Sequence, residues 1–229
     1  MLEVGPARMT PAEPAAESGV ARRFRREAHR WDEIYTESGA WITRGWDRLT
    51  RRNVRERFTR TFQAAGDLEG RTVLDLGCGS GRYLVEAIHR GAARAVGLDI
   101  APEMIDLARR LAARAPRPDR IELRCGDILG AQLETKFDLV IANGLFDYLD
   151  DPDAVMRRAA DWTAGTLVAS FPDRWAMRAL PRALYWRLRQ VRVRLYDRAT
   201  IAALASRVGL GVVGIERIGP IFLLVARHA

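Results

Sequence analysis

The chain has few of the residues that metal sites and disulfide-stabilised folds require. Its 229 residues include only two cysteines, Cys78 and Cys125, and three histidines. The cysteines lie far apart in different motifs, so we expect neither a disulfide framework nor a metal site. No segment approaches the roughly 18 consecutive apolar residues of a membrane-spanning helix, and the N-terminus lacks the apolar core of a signal peptide. We therefore expect a cytoplasmic protein with at most peripheral membrane contact.

Lysine is nearly absent although the chain is basic. Lys136 is the only lysine, so arginine supplies almost all of the positive charge behind the net charge of +8. A basic chain can bind nucleic acid, an anionic membrane surface or an acidic substrate. Arginine enrichment is also typical of GC-rich coding sequences, and no basic block with interleaved aromatic residues is present. We therefore favour coding bias and expect no nucleic-acid partner.

Composition and periodicity divide the chain into five segments. Residues 1–20 are rich in Pro, Ala and Glu and are expected to be disordered, whereas apolar residues at helical spacing predict a helical cap over 21–66. Residues 67–170 alternate short apolar runs with helical patterns and are expected to form the cofactor-binding core. The arginine-rich segment 171–199 is expected to be a lid on the substrate side. Residues 200–229 supply a last helix and two edge strands.

The alternation over 67–170 predicts the fold class. Nearly continuous apolar strands that alternate with helices are typical of a parallel sheet buried on both faces. Two further apolar runs, 211–217 and 220–227, are joined by a Gly-Pro turn and predict an antiparallel pair at one edge. We expect a doubly wound, Rossmann-like α/β fold with a mostly parallel seven-stranded sheet, an antiparallel edge hairpin, N-terminal helices and a small helical insertion.

A glycine-rich loop follows the first predicted strand. The strand contains Asp75, and residues 77–81 are Gly-Cys-Gly-Ser-Gly. Ligands of open α/β sheets bind beyond the carboxyl ends of the strands, where glycines allow close backbone approach. Dinucleotides usually need G-x-G-x-x-G, which this loop lacks at Arg82. The Asp75 carboxylate would repel a pyrophosphate but suits the ammonium group of a methionine moiety. The loop therefore favours S-adenosylmethionine, which carries a sulfonium and no phosphate.

The ends of the next two strands supply groups that suit a nucleoside. Asp99 ends the second strand, where a carboxylate accepts hydrogen bonds from both ribose hydroxyls. Gly126 and Asp127 follow the third strand, and the Asp127 carboxylate is expected to accept from the adenine amine. We expect the adenine ring to lie between three apolar side chains, those of Ile100, Met104 and Ile128.

Four segments resemble, in chain order, the motifs of class I S-adenosylmethionine-dependent methyltransferases. They are residues 73–81, 97–105, 126–127 and 137–140. The resemblance is close over about 70–170, and it implies the family's fold, its methyl-transfer activity and S-adenosylmethionine as cofactor. It implies cofactor contacts at Asp75, Gly77, Gly79, Asp99, Asp127 and Asn143. Cys78 belongs to the same loop and is also a candidate cofactor contact, and we interpret its thiol as a small packing group rather than a nucleophile.

Candidates for the acceptor side are less specific. Asp147 and Tyr148 follow the fourth strand and are candidates to orient an acceptor or take its proton, with ordinary loop roles equally open. His29 is the candidate base on the N-terminal helices, although a surface position is the simpler interpretation. Tyr35 is a candidate to cover the cofactor, with core packing as the alternative. The acidic turn over 147–153 is interpreted as solvated rather than metal-binding.

A narrower resemblance concerns the flanks of the core. Residues 31–35, residues 170–172, the arginine-rich helix and Tyr196 are similar in layout to magnesium-protoporphyrin O-methyltransferases, but Asp197 and Arg198 stand where that family usually has a histidine. We expect methyl transfer to an O, N or C atom of a small-molecule acceptor by in-line displacement, driven mainly by positioning. The alternatives are a magnesium-protoporphyrin-type enzyme, a nucleic-acid methyltransferase and a nicotinamide-dependent oxidoreductase. The oligomeric state stays open.

Overall fold

The structure is a computed structural model that describes residues 44–174 and 194–228, with side chains from residue 52 onward. The predicted disordered tail over 1–20, half of the predicted helical cap and most of the predicted lid lie outside the described residues. Among the helices of the described ranges, none combines the length and the apolar character needed to cross a bilayer.

The described residues form five α-helices, one short 3-10 helix and seven strands. The helices are α1 (Arg44–Ala65), α2 (Arg82–His89), α3 (Pro102–Ala112), α4 (Pro152–Asp161) and α5 (Arg198–Ser206), and the 3-10 helix is Pro118–Arg120. The strands are β1 (Thr72–Leu76), β2 (Arg94–Asp99), β3 (Ile121–Cys125), β4 (Phe137–Ala142), β5 (Thr163–Pro172), β6 (Leu210–Ile218) and β7 (Ile221–His228).

The strands form one sheet in the order β3-β2-β1-β4-β5-β7-β6. The pairs among β1 to β5 are parallel, and β7 is antiparallel to both β5 and β6. The predicted fold class, with its antiparallel edge hairpin, is confirmed. The chain leaves β1 toward β2 on one side and later returns to β4 on the other, so β1 and β4 flank the switch point where open α/β sheets bind ligands.

Both faces of the sheet are covered by helices, and the face beneath α1 matters for the site. Val73, Ile141 and Val168 lie on that face, in one apolar cluster with Phe62 of α1 and Leu84 of α2. Because successive side chains of a strand alternate between faces, residues two positions further along lie on the same face. Those residues are Asp75, Asn143 and Ser170, which we call the strand-end row.

Several predicted boundaries agree with the structure, and β5 differs most. The sequence pattern predicts a helix from Arg82 to His89, and α2 has these bounds. It also predicts Asp197 as the cap of a last helix, and the Asp197 carboxylate accepts from the Thr200 amide at 2.9 Å at the start of α5. The apolar run predicts a strand over 166–170, whereas β5 spans Thr163–Pro172 and pairs with β7 from residue 166 to its end. The segment boundaries placed after residues 170 and 199 therefore fall inside β5 and α5.

Candidate functional site

The glycine loop after β1 folds against the end of β2. The Gly77 amide donates to the Leu98 carbonyl at 2.8 Å, which fixes the start of the loop. Gly79 and Gly81 have φ values of 53° and 79°, a left-handed conformation that favours glycine. A Cβ at Gly81 would lie 3.1 Å from the Ala108 side chain, whereas one at Gly79 would meet nothing within 4 Å. The space beside Gly79 is therefore open to a ligand.

Asp99 holds this loop in place. One carboxylate oxygen, Oδ2, accepts from the Gly79 amide at 2.8 Å, and the other, Oδ1, accepts from the Ala101 amide at 2.9 Å at the start of α3. Burial raises the pKa of Asp99, and these amide hydrogen bonds oppose that shift. Each carboxylate oxygen can accept a second hydrogen bond. Asp99 thus supports the loop and keeps accepting capacity for the predicted ribose contact, which stays a prediction.

Asp75 is a buried carboxylate at the end of β1. It is 2% exposed, and its Oδ2 has no hydrogen-bond partner among the described residues. Burial is the main cause that raises the pKa of Asp75 to about 8; repulsion by Asp99 adds to the shift, and the positive charge of Arg57 opposes it. A buried oxygen without a donor costs free energy, so this position fits a ligand that supplies one.

Helix α1 brings two residues to the site that sequence reasoning missed, Arg57 and Thr61. The Arg57 guanidinium lies 3.5 Å from the Ser170 hydroxyl and 3.3 Å from the position that a Cβ of Gly144 would take. It therefore lies over the carboxyl ends of β4 and β5. The sequence offers one signal for them: Arg57 and Thr61 are four residues apart, so they lie on the same face of α1 beside its apolar residues. Because α1 contains many arginines, this spacing does not distinguish Arg57 from the others.

Asn143 connects the strand-end row to α1. Its amide nitrogen donates to the Thr61 hydroxyl at 3.0 Å, and that hydroxyl donates to the Arg57 carbonyl at 2.8 Å. The Asn143 Oδ1 is buried, and in the part of the chain that the structure describes it has no hydrogen-bond partner. Ser170, in contrast, is partnered, because its hydroxyl accepts from the Gly144 amide at 2.8 Å. Two neighbouring strands therefore end in buried oxygens to which no described residue donates.

Sequence comparison matches this core to methyltransferases. A family model described as "Methyltransferase domain" matches residues 73–164. Ribosomal protein L11 methyltransferases of Pectobacterium carotovorum and Escherichia coli (strain 55989 / EAEC) are 44% identical to the chain over 77 residues, which is 34% of this chain. The matched part is 25% of the Pectobacterium protein and 26% of the Escherichia protein, so the chain spans about a quarter of these relatives.

Solved structures share the fold over more of the chain. A magnesium protoporphyrin IX methyltransferase from Synechocystis with bound S-adenosylhomocysteine superposes with a TM-score of 0.74 at 20% sequence identity. The alignment covers 92% of this chain and 98% of the Synechocystis chain. A geranyl diphosphate C-methyltransferase from Streptomyces coelicolor has a TM-score of 0.63 at 14% sequence identity, and the alignment covers 77% of this chain and 79% of the Streptomyces chain. At these identities the likeness shows the fold alone.

Residues 73–164 form a methyltransferase domain, of the class I S-adenosylmethionine-dependent type that the sequence motifs predict. The predictions of a methyltransferase and of S-adenosylmethionine as its cofactor are confirmed. The alternative of a nicotinamide-dependent oxidoreductase is therefore set aside.

The residues predicted to contact the adenine of the cofactor differ from one another in burial and packing. The Gly126 amide donates to the Asp99 carbonyl at 2.9 Å, which places the end of β3 beside the end of β2. Asp127 is exposed, and its Oδ1 accepts from the Leu129 amide at 3.1 Å. Of the apolar candidates, Ile128 packs in the main core, Met104 packs in a small separate cluster, and Ile100 is partly exposed. Their adenine contacts stay predictions.

The Cys78 thiol of the methyltransferase packs inside the fold. The residue is buried, and its sulfur lies 2.9 Å from the position that a Cβ of Gly97 would take. Burial, followed by the charges of Asp75 and Asp99, raises the pKa of the Cys78 thiol well above its ordinary value. Because the thiolate is the reactive form of cysteine, this environment favours packing over nucleophilic chemistry.

The acceptor-side candidates Asp147 and Tyr148 are both buried and lie outside the strand-end row. The Asp147 carbonyl accepts from the Arg194 amide at 3.1 Å. Burial raises the pKa of Tyr196 to about 12, and the nearby charge of Asp147 contributes to that shift. The Tyr196 hydroxyl donates to the Phe146 carbonyl at 3.2 Å. Asp147 thus lies beside Tyr196, and the catalytic roles of Asp147 and Tyr148 stay predictions.

Two further candidates of the methyltransferase, His29 and Tyr35, lie outside the described residues, and their roles stay predictions. Over 44–174 and 194–228 there is no group of three or more His, Cys, Asp or Glu residues that could hold a metal ion. Two carboxylates of the acidic turn have structural partners. Asp151 accepts from the Ala154 amide at 2.9 Å, and Asp153 accepts from Arg207 at 2.7 Å.

Proposed function

We propose that the protein transfers a methyl group from S-adenosylmethionine to an O, N or C atom of a small-molecule acceptor. The observation that carries the proposal is the strand-end row beneath α1. Asp75 and Asn143 keep buried oxygens that receive no hydrogen bond from the described part of the chain, and Arg57 and Thr61 lie above them. Enclosed sites with a few convergent polar groups are typical of small-molecule binding.

The charges of the row suit the amino-acid part of the cofactor. The Asp75 carboxylate complements an ammonium group, and the nearby Arg57 guanidinium complements a carboxylate. Asp99 and Asp127 are assigned to the ribose and the adenine amine. The bound cofactor supplies a methyl group on a sulfonium, a centre that needs little activation.

The contribution of the chain is therefore positioning and exclusion of water. Alignment of two reactants contributes on the order of 7–11 kcal/mol to lowering a barrier. A general base is needed only where the acceptor arrives protonated with a high pKa. Residues at the carboxyl ends of β4 and β5, beside Gly144 and Ser170, lie where the acceptor would meet the cofactor.

Two comparisons bear on the acceptor. The sequence identity with ribosomal protein L11 methyltransferases is confined to about a third of this chain and a quarter of theirs. It therefore supports S-adenosylmethionine as the cofactor and says little about the acceptor. The magnesium protoporphyrin IX methyltransferase, which shares the fold over 92% of this chain, is named for a small-molecule acceptor, and we extend that class of acceptor to this chain as part of the proposal. A porphyrin is the second candidate, but Tyr196, which carried part of that layout, is buried and bonded to Phe146.

The proposal is tested in two steps on the full-length protein. Calorimetry with S-adenosylmethionine and S-adenosylhomocysteine should show binding, and NAD should not bind. A methyl-donor assay should then show turnover on a member of a metabolite panel that includes magnesium protoporphyrin, and none on ribosomal protein L11 or on RNA. Turnover only on L11, or only on RNA with steeply salt-dependent binding, would contradict the small-molecule assignment.

A further inference from the structure

We propose that Thr61 is a positioning residue, which fixes the Asn143 amide so that its oxygen is presented to the ammonium group of the cofactor. This inference rests on the proposed function. It concerns a residue of α1 that lies 82 positions from its partner in the chain.

The orientation of the amide follows from the number of hydroxyl protons. The Thr61 hydroxyl has one proton, which it donates to the Arg57 carbonyl at 2.8 Å, a bond common for threonine within helices. Toward Asn143 the hydroxyl oxygen can therefore only accept, and the group that faces it at 3.0 Å must be the amide nitrogen. A rotated amide would place two acceptors against each other. The Asn143 oxygen consequently lies on the branch away from Thr61.

The position of Thr61 is itself well fixed. Its side chain is fully buried, and the next residue, Phe62, is 1% exposed. The Phe62 ring lies 5.0 Å from the ring of Phe58 and 5.9 Å from that of Tyr83 on α2. Aromatic packing of this kind holds the helix against the sheet. The hydroxyl that orients Asn143 thus cannot turn away without disturbing the core.

An ammonium group is the ligand that fits the oriented oxygen. Asp75 pairs with Ile141 across β1 and β4, and Asn143 follows Ile141 by two residues on the same face of the sheet. The buried oxygens of Asp75 and Asn143 both lack donors among the described residues. An ammonium group carries three donors and can serve both oxygens, whereas a hydroxyl carries only one.

The test removes the Thr61 hydroxyl and compares two ligands that differ in the amino-acid part. Thr61→Val keeps the shape without the hydroxyl, and Thr61→Ser keeps the hydroxyl. The ligands are S-adenosylhomocysteine, which has the ammonium group, and 5′-methylthioadenosine, which lacks the amino-acid part. In Thr61→Val we expect the Kd for S-adenosylhomocysteine to rise about tenfold and that for 5′-methylthioadenosine to stay within about twofold. Thr61→Ser should bind both ligands like the wild-type protein.

A structural role predicts a different result, namely equal losses for both ligands in Thr61→Val. Equal losses, or no loss, would overturn the proposal. In the double variant Thr61→Val with Asn143→Ala, the loss should not exceed that of Asn143→Ala alone, because Thr61 acts through Asn143. Where Thr61→Val does not fold, the pair Thr61→Ser and Thr61→Ala isolates the hydroxyl. Failure of the wild-type protein to bind S-adenosylhomocysteine would instead overturn the proposed function itself.

Discussion

The two sides of the switch point satisfy their polar groups in different ways. On the side of β1 and α1, Asp75 and Asn143 keep buried oxygens for which the described chain supplies no donor. On the other side, around Tyr196 and the later residues of the loop after β4, the Tyr196 hydroxyl bonds the Phe146 carbonyl, and Arg194 bonds the carbonyl of Leu149 at 3.0 Å. Because folded proteins satisfy nearly all buried polar groups, the unsatisfied side is the one that a ligand completes.

Asp99→Ala is expected to have the largest effect, because Asp99 is the predicted ribose contact and also supports the glycine loop beside the unsatisfied side. The variant loses the predicted ribose contacts and the hydrogen bond to the Gly79 amide. Affinity for S-adenosylhomocysteine should fall more than about tenfold, as measured by calorimetry. Asp106→Ala is the matched control, since Asp106 is exposed on α3 and pairs only with a surface arginine in the described chain. Unchanged affinity in Asp99→Ala would remove Asp99 from the ribose role.

The two sides of the switch point are compared directly by one substitution on each side, with affinity for S-adenosylhomocysteine as the measured quantity. Asp75→Asn removes the charge that the ammonium group requires, and affinity for S-adenosylhomocysteine should fall by about tenfold. Asp147→Asn changes a carboxylate that is buried on the other side, and affinity should stay within about twofold. Equal losses in the two variants would show that the division between the sides is wrong.

The pH dependence of cofactor binding tests whether the Asp75 carboxyl group must ionise to hold the ammonium group. With a pKa of about 8, this carboxyl group is mostly protonated at pH 7, and it must ionise to hold an ammonium group. Affinity for S-adenosylhomocysteine should therefore rise about fivefold from pH 7 to pH 8. The raised pKa also means that the folded protein binds this proton more tightly than the unfolded chain, so stability should fall as pH rises from about 4 to about 8. Asp75→Asn should abolish both dependences; a rise in affinity that persists in the variant would assign it to another group.

The sequence predicts the part of the site that is built from local patterns far better than the part that is built from long-range contacts. The glycine loop, Asp75 and Asp99 stand within single strand–loop–helix units, where residue type and spacing specify the geometry. Arg57 and Thr61 reach the site only because α1 packs across the ends of β4 and β5, and the hydrogen bond from Arg57 to Ser170 joins residues 113 positions apart. The length of β5 was likewise underestimated because its last residues pair with β7, which comes about 50 residues later.

Tyr196→Phe is expected to have the smallest effect on ligand binding and a clear effect on stability. Tyr196 is 4% exposed, so loss of its hydroxyl leaves the Phe146 carbonyl without that donor in a buried place. The free energy of unfolding in urea should fall by about 1 kcal/mol, while affinity for S-adenosylhomocysteine stays within about twofold. Thr163→Val is the matched control, because it removes a buried hydroxyl that bonds the Ala159 carbonyl at 2.7 Å, away from both loops. A selective loss of affinity in Tyr196→Phe would mean that the satisfied side also holds the cofactor, since the control rules out a general effect of lost stability.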